Sequence, residues 1–192
     1  MNWPCETGLF SNIYQALSSS APARPLPHRS MRPCRRIVFR ISSHDQGWAN
    51  GGVSGYHGSC TWFDAMVVRD AYKKIRALTA DGNPEDNADS IEEPSFPTNY
   101  GGLSSYALQM NKAAELNTEQ YTIIWDYRDD MHPDCAQAQE IQEQQGRGRF
   151  TLDGNTVRQL QVGDAISVWG RARFGEWSNY VEWCSVRVFW AV

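Results

Sequence analysis

Apolar and polar positions alternate with a period of two in several stretches of this chain, the spacing of half-buried β-strands. Residues 35–41 place Ile37, Phe39 and Ile41 on one side. Residues 62–70 put Phe63, Ala65 and Val67 on one face and Trp62, Asp64, Met66 and Val68 on the other. Both faces are largely apolar, which predicts a central strand. Residues 121–127 align Ile123, Trp125 and Tyr127, and residues 165–174 align Trp169, Arg171 and Arg173. Residues 180–192 predict a long strand with Val181, Trp183, Phe189 and Ala191 sharing a face. Val162-Gly163-Asp164 and the stretch Gly175 to Asn179 are turn signals between strands. Residues 103–117 fit either a strand or a short helix. Helix formers over 136–145 end before Gly146, inside a polar insertion over 128–149. The pattern predicts an all-β fold: an antiparallel β-sandwich of jelly-roll type with long loops and one short helical insertion.

The flanks read differently. Pro22, Pro25, Pro27 and Pro33 make residues 21–34 extended. Residues 1–34 therefore read as an N-terminal arm and Pro-rich linker, with a short helix around Leu9 to Leu17, and residues 35–192 as a single β-sandwich domain. Residues 80–102, rich in Asp, Asn, Glu, Pro and Gly, read as a long loop.

Composition narrows the function classes. Hydrophobic residues make up 41% and charged residues 21%, as in ordinary soluble globular proteins. The 8 Trp residues imply an aromatic core or an aromatic-lined pocket. A net charge of −4 gives a nucleic-acid partner no electrostatic support. No run approaches the roughly 18 apolar residues of a membrane span, so no membrane partner is expected. The first twenty residues lack the basic start and apolar run of a secretory signal, and a cytoplasmic location is expected. The 5 cysteines form no CxxC pair. They predict free thiols in a reducing compartment, with Cys60 and Cys184 as buried small hydrophobes and no zinc site of the usual kind.

Candidate chemistry concentrates in Ser42-Ser43-His44-Asp45-Gln46-Gly47-Trp48 and Gly55-Tyr56-His57-Gly58-Ser59-Cys60-Thr61-Trp62-Phe63-Asp64. Loops of this composition between strands commonly present binding groups. His44–Asp45 fits a proton-moving pair at a pocket rim or a loop stitched by its own hydrogen bonds. His44 and His57 lack helical metal-ligand spacing, and no metal is assigned. Asp126, Asp129 and Asp130 fit a calcium loop or a plain acidic turn. Arg171 and Arg173 beside Trp169 are costly on a core face. They fit a grip on an anionic or polarised oxygen, or ion pairs with acids such as Glu182. Trp177, Asn179 and Tyr180 fit stacking on a flat ring or packing of a hairpin. No P-loop, dinucleotide fingerprint, nucleophile elbow or Ser-His-Asp signature is present, so no cofactor is implied.

The set Ser43 to Trp48, Gly58 to Asp64, Val162-Gly163-Asp164, Trp169 to Phe174 and Trp177 to Val181 resembles small fungal proteins of galactose-binding-like sandwich character. The resemblance spans about residues 35–192 and extends to the hetero-Diels–Alderases of fungal tropolone-sesquiterpenoid pathways, which are small, cofactor-free pericyclases. Cys60 and Gly170 stand where larger or more polar residues are expected. The resemblance implies a hydrophobic small-molecule substrate and a cycloaddition of a quinone methide with a terpene alkene. In that reading His44 or His57 is a general acid and Arg171 or Arg173 a hydrogen-bond donor. Trp48, Trp62, Trp125, Tyr127, Trp169 and Trp177 line the substrate. A homodimer fits the same reading. Non-catalytic carbohydrate binding and a structural or partner-binding domain are the alternatives.

Overall fold

A computed structural model describes residues 32–48, 54–71, 103–175 and 177–191. In chain order these form β1 (Cys34–His44), β2 (Thr61–Val68), β3 (Ala107–Met110) and β4 (Glu119–Asp126). Helix α1 (Ala136–Gln145), a 3₁₀ turn (Arg149–Thr151) and helix α2 (Asn155–Gln159) follow, then β5 (Ala165–Ala172) and β6 (Tyr180–Trp190). The strands make two antiparallel three-stranded sheets, ordered β4-β1-β6 and β3-β2-β5. The described residues are thus all-β in character, with two short helices and a 3₁₀ turn where one helical insertion was expected. No helix among them is long and apolar enough to cross a membrane.

The period-two pattern explains the core. β1 contributes Ile37, Phe39 and Ile41, and β4 contributes Tyr121, Ile123 and Trp125. β2, β3 and β5 bring Phe63, Ala65, Leu108, Ile166 and Val168 into the same cluster, and α2 and its C-cap add Val157 and Leu160. Trp125 meets Phe39 edge-on, with ring centroids 4.6 Å apart. β2 is central in its sheet, as its two apolar faces predict.

The face assignment of β6 needs correction. Cys184, Val186, Val188 and Trp190 pack toward the core, while Trp183 and Phe189 are exposed. Val181 joins the core group because the register slips between Ser42 and Ser43, pairing Ser42 with Trp183 but Ser43 with Val181. Strict alternation along the sequence cannot show such a bulge. Residues 1–31 and the whole of the long 80–102 loop lie outside the described residues.

Residues 146–148 close one side of the structure. α1 begins at Cys135, whose Sγ accepts from the Ala138 N–H at 3.4 Å, and ends at Gly146 in the left-handed region (φ 69°). The chain then runs along β3: the Met110 N–H donates to the Gly146 carbonyl (2.7 Å) and the Gly148 N–H to the Leu108 carbonyl (3.1 Å). Arg147 reaches the other sheet, its Nη2 donating to the Ile124 carbonyl of β4 at 2.6 Å. Burial holds the Arg147 guanidinium below its ordinary pKa. Gly148 lies so close to β3 that a Cβ would land on the Ala107 carbonyl oxygen. At the end of β4, Asp126 takes Arg36 of β1 (2.8 Å) and Arg128 (2.8 Å), and its backbone N–H donates to Asp129. These contacts, Arg128 first, hold the Asp126 carboxyl well below the usual range. The acidic turn weighed as a calcium loop thus has its first carboxylate committed to two guanidinium groups.

Two predictions follow from this framework. Gly148→Ala should destabilise the protein by about 1–3 kcal/mol through overpacking, read as a lowered urea midpoint with an unchanged slope. Asp126 is depressed in the folded state, so its contribution is present above the unfolded carboxyl pKa of about 3.9 and is lost as pH falls through and below it. Urea titrations at neutral and acid pH should show Asp126→Asn less stable than the native chain at neutrality. The gap should close below about pH 4; a gap independent of pH would refute the assignment.

Candidate functional site

A buried polar network ties the two sheets together at the end where β1 finishes and β2 begins. The Ser43 hydroxyl donates to Asn111 Oδ1 at 2.7 Å. Asn111 Nδ2 donates to Thr61 Oγ1 (3.0 Å) and to Asn179 Oδ1 (2.9 Å). The Thr61 hydroxyl passes the chain on to Asp45 Oδ1 (3.0 Å), and Asp45 Oδ2 accepts from the Ala114 N–H (3.0 Å). Asn179 Nδ2 donates to the carbonyls of Trp62 (3.0 Å) and Arg171 (3.2 Å). Ser43, Asp45, Thr61 and Asn111 are all buried, which is tolerable because their polar atoms are matched. The His44–Asp45 pair therefore divides. Asp45 is a structural anchor. His44 is half-buried, places its Nδ1 2.6 Å from the Asp45 carbonyl oxygen, and stacks on Tyr180 at 4.7 Å and 5°.

Outside this network sits an aromatic cluster. Trp48 lies 5.7 Å from Trp177 in ring centroids, and Trp177 lies 5.7 Å from Phe174. Trp48 is 56% exposed and Phe174 51%. Gln46 fixes the approach of the two loops, its Oε1 accepting from the Ser178 N–H.

A second constellation occupies the face of the β3-β2-β5 sheet turned away from the core. The side chains that alternate with Phe63 and Ala65 on β2, and with Ile166 and Val168 on β5, point there. Asp64 pairs across the ladder with Trp169, and Trp62 with Arg171. Asp64 is 1% exposed, and its Oδ2 accepts from Arg171 Nε at 3.1 Å. Its Oδ1 takes Trp62 Nε1 (3.1 Å) and the Ser104 hydroxyl (2.7 Å). The Arg171 guanidinium lies 5.9 Å from the Trp169 ring, and Trp169 Nε1 donates to Ser167. The result is a fixed guanidinium in aromatic surroundings, the kind of place where a charge-assisted hydrogen bond is strong.

The expected site residues are thus partly assembled. Trp62, Trp169 and Arg171 come together, and Trp48 meets Trp177. Trp125 does not face Trp169: it packs in the core with Ile123, while Trp169 is on the far side of the other sheet because Ile166 and Val168 claim the core positions of β5. A single cavity walled by both indoles is excluded. Tyr127 follows β4 at the end remote from His44 and lies under the Arg35 guanidinium at 4.7 Å. His57 is exposed in the turn at residues 55–58. Arg173 lies past the end of β5, its N–H bonded to the Cys60 carbonyl. Arg171 takes Asp64 rather than Glu182, and Glu182 accepts from Ser42 and Thr118. Cys34, Cys60, Cys135 and Cys184 are free thiols; Cys60 is buried and Cys184 half-buried. Burial pushes the Cys34 and Cys184 thiols up to about 11.

Sequence reasoning missed Asn111, Ser104 and the structural part of Thr61. Asn111 directly follows β3, and a polar side chain abutting a buried strand was the available signal. Searches with the sequence and the structure found no matching family model, no matching curated protein and no matching solved structure.

Asp64 and Arg171 should behave as a coupled pair. Asp64→Ala leaves a largely buried guanidinium uncompensated and should cost about 3–5 kcal/mol. Asp64→Ala combined with Arg171→Met should cost less than Asp64→Ala alone in a denaturant double-mutant cycle. Additive losses would show that the two side chains do not interact.

Proposed function

We propose that this protein is a cofactor-independent cyclase performing a hetero-Diels–Alder reaction on a β-sandwich scaffold of jelly-roll type. The observation that carries the reading is the Asp64–Arg171 pair held between Trp62 and Trp169. The resemblance of the His44 and Arg171 segments to fungal pericyclases supports it. The reaction joins an oxygen-bearing diene, such as an ortho-quinone methide, to an alkene. One C–O and one C–C bond form, three π bonds become one, and no proton, electron or leaving group is exchanged in that step. Proximity lowers the barrier by removing the entropy of meeting. A guanidinium directed at the carbonyl oxygen stabilises the negative charge that gathers there. The half-buried Trp62 and Met66 offer the approach for an apolar substrate. Formation of a quinone methide by loss of water calls for a general acid, a role open to His44 or His57. Free cysteines suit a cytoplasmic enzyme.

A second reading, a non-catalytic carbohydrate-binding module, is favoured by the exposed Trp48–Trp177–Phe174 cluster. Aromatic faces of this kind stack on sugar rings.

One comparison separates the two. Purified protein is given a quinone methide precursor with a macrocyclic terpene alkene, and in parallel a glycan array. The cyclase reading expects faster product formation with a changed stereochemical ratio, and about a hundredfold loss of rate in Arg171→Lys whose circular dichroism matches the native chain. Product yield and stereochemistry equal to the protein-free control would overturn it. The binding reading expects glycan capture that falls about tenfold or more in Trp177→Ala, and an empty array removes it.

A further inference from the structure

The four outer strands of the two sheets are not finished alike. The free side of β3 is taken by Gly146 and Gly148, and β4 gives its Ile124 carbonyl to Arg147. β6 runs for 11 residues with β1 on one side, and among the described residues no other strand pairs with it. Tyr180 to Trp190 contains no proline, glycine or lysine; its bulge is confined to the Val181–Trp183 end, and its two charges are Glu182 and Arg187. Its core-side residues Cys184, Val186, Val188 and Trp190 are only partly buried, and Trp183 and Phe189 on the opposite face are 41% and 48% exposed. Apolar surface on both faces of an edge is what an added strand would cover.

We propose that β6 is the interface of a homodimer, pairing antiparallel with β6 of a second copy about a two-fold axis. The occupant is a second copy because the strand is complementary to itself. Opposed residues in an antiparallel ladder lie on the same face of the sheet. With the axis at Ser185, Trp183 of each copy faces Arg187 of the other on the outer face, a cation over an indole, formed twice. On the core face Cys184 faces Val186 of the other copy, also twice. Glu182 is withdrawn from the contact by its bonds to Ser42 and Thr118 (2.7 and 3.0 Å), so no like charges meet along the ladder. Arg187, the strand's other charge, is exposed on this face. Such a contact is isologous and closes on itself, and it joins the β4-β1-β6 sheets of two copies into one six-stranded sheet.

The test uses the full chain. Sedimentation equilibrium over a range of protein concentrations should show a reversible dimer. Arg187→Glu, whose side chain is exposed and whose fold is checked by circular dichroism, should shift it at least tenfold toward monomer. Ser185→Cys places a thiol on the two-fold axis and should give a disulfide-linked dimer on mild oxidation, reversed by reductant. The native chain and Arg40→Cys, a β1 residue one strand away from the edge, should not crosslink. A native chain that remains monomeric overturns the proposal. So does a dimer that persists in Arg187→Glu and does not crosslink through Ser185→Cys, since that dimer uses another surface. Neither outcome depends on whether the protein is a cyclase or a glycan binder.

Discussion

The contact on which this structure depends most is the hydrogen-bonded chain from Ser43 through Asn111 and Thr61 to Asp45. Sheets packed by apolar side chains alone can slide past one another at small cost, because dispersion has little directionality. Directional bonds do not allow that. Asn111 spends both amide hydrogens and its carbonyl oxygen on partners from β1, β2 and the loop before β6. Ser43 and Thr61 are themselves buried and Asn179 is half-buried, and each would be left unmatched by a shift of an ångström or two. The apolar core supplies the driving force for closing the two sheets, and this network selects the one alignment in which they close.

The same network explains how the loop end gets its shape. Asp45 anchors the chain immediately before Gln46 and Trp48, and Asn179 anchors it immediately after Trp177 and Ser178. Two aromatic-bearing loops are thereby fixed at their roots while Trp48 and Phe174 stay exposed. An exposed aromatic held this way loses little further entropy when it meets a ligand, which is the advantage of a preorganised surface over a loose one. On the far face of the second sheet, Asp64 does for Arg171 what Asp45 does for the loops: it sets a direction.

Much of this was legible in the sequence. β1, β2, β4, β5 and β6 announce themselves through alternation, and α1 through its helix formers and terminal glycine. Sequence also grouped Trp62 with Asp64 on one face, and Trp169 with Arg171. It could not say which face of β5 looks inward, because Ile166 and Val168 compete with Trp169 on equal hydrophobic terms. That ambiguity produced the pairing of Trp125 with Trp169 that the fold separates. Nor could it reveal the bulge that turns Val181 inward, since the extra residue is visible only against its partner strand. The partner of Arg171 was out of reach for a related reason: Asp64 lies 107 positions away, and only the β2–β5 register brings the two together.

β2 has an interior on each side, and this makes it its own proofreader. On one face Phe63 and Ala65 sit in the apolar core; on the other Asp64 is closed in with a guanidinium and two indoles. A slip of one residue exchanges the faces. It would press a carboxylate into hydrocarbon and set a phenyl ring against the arginine, two penalties incurred together. A strand with one wet face can tolerate mispairing on that side, whereas at the centre of β2 Phe63, Asp64 and Ala65 are all buried, so a slip misplaces buried groups on both faces. Asp64 therefore contributes to the fold through the arrangements it forbids as well as through the bonds it makes.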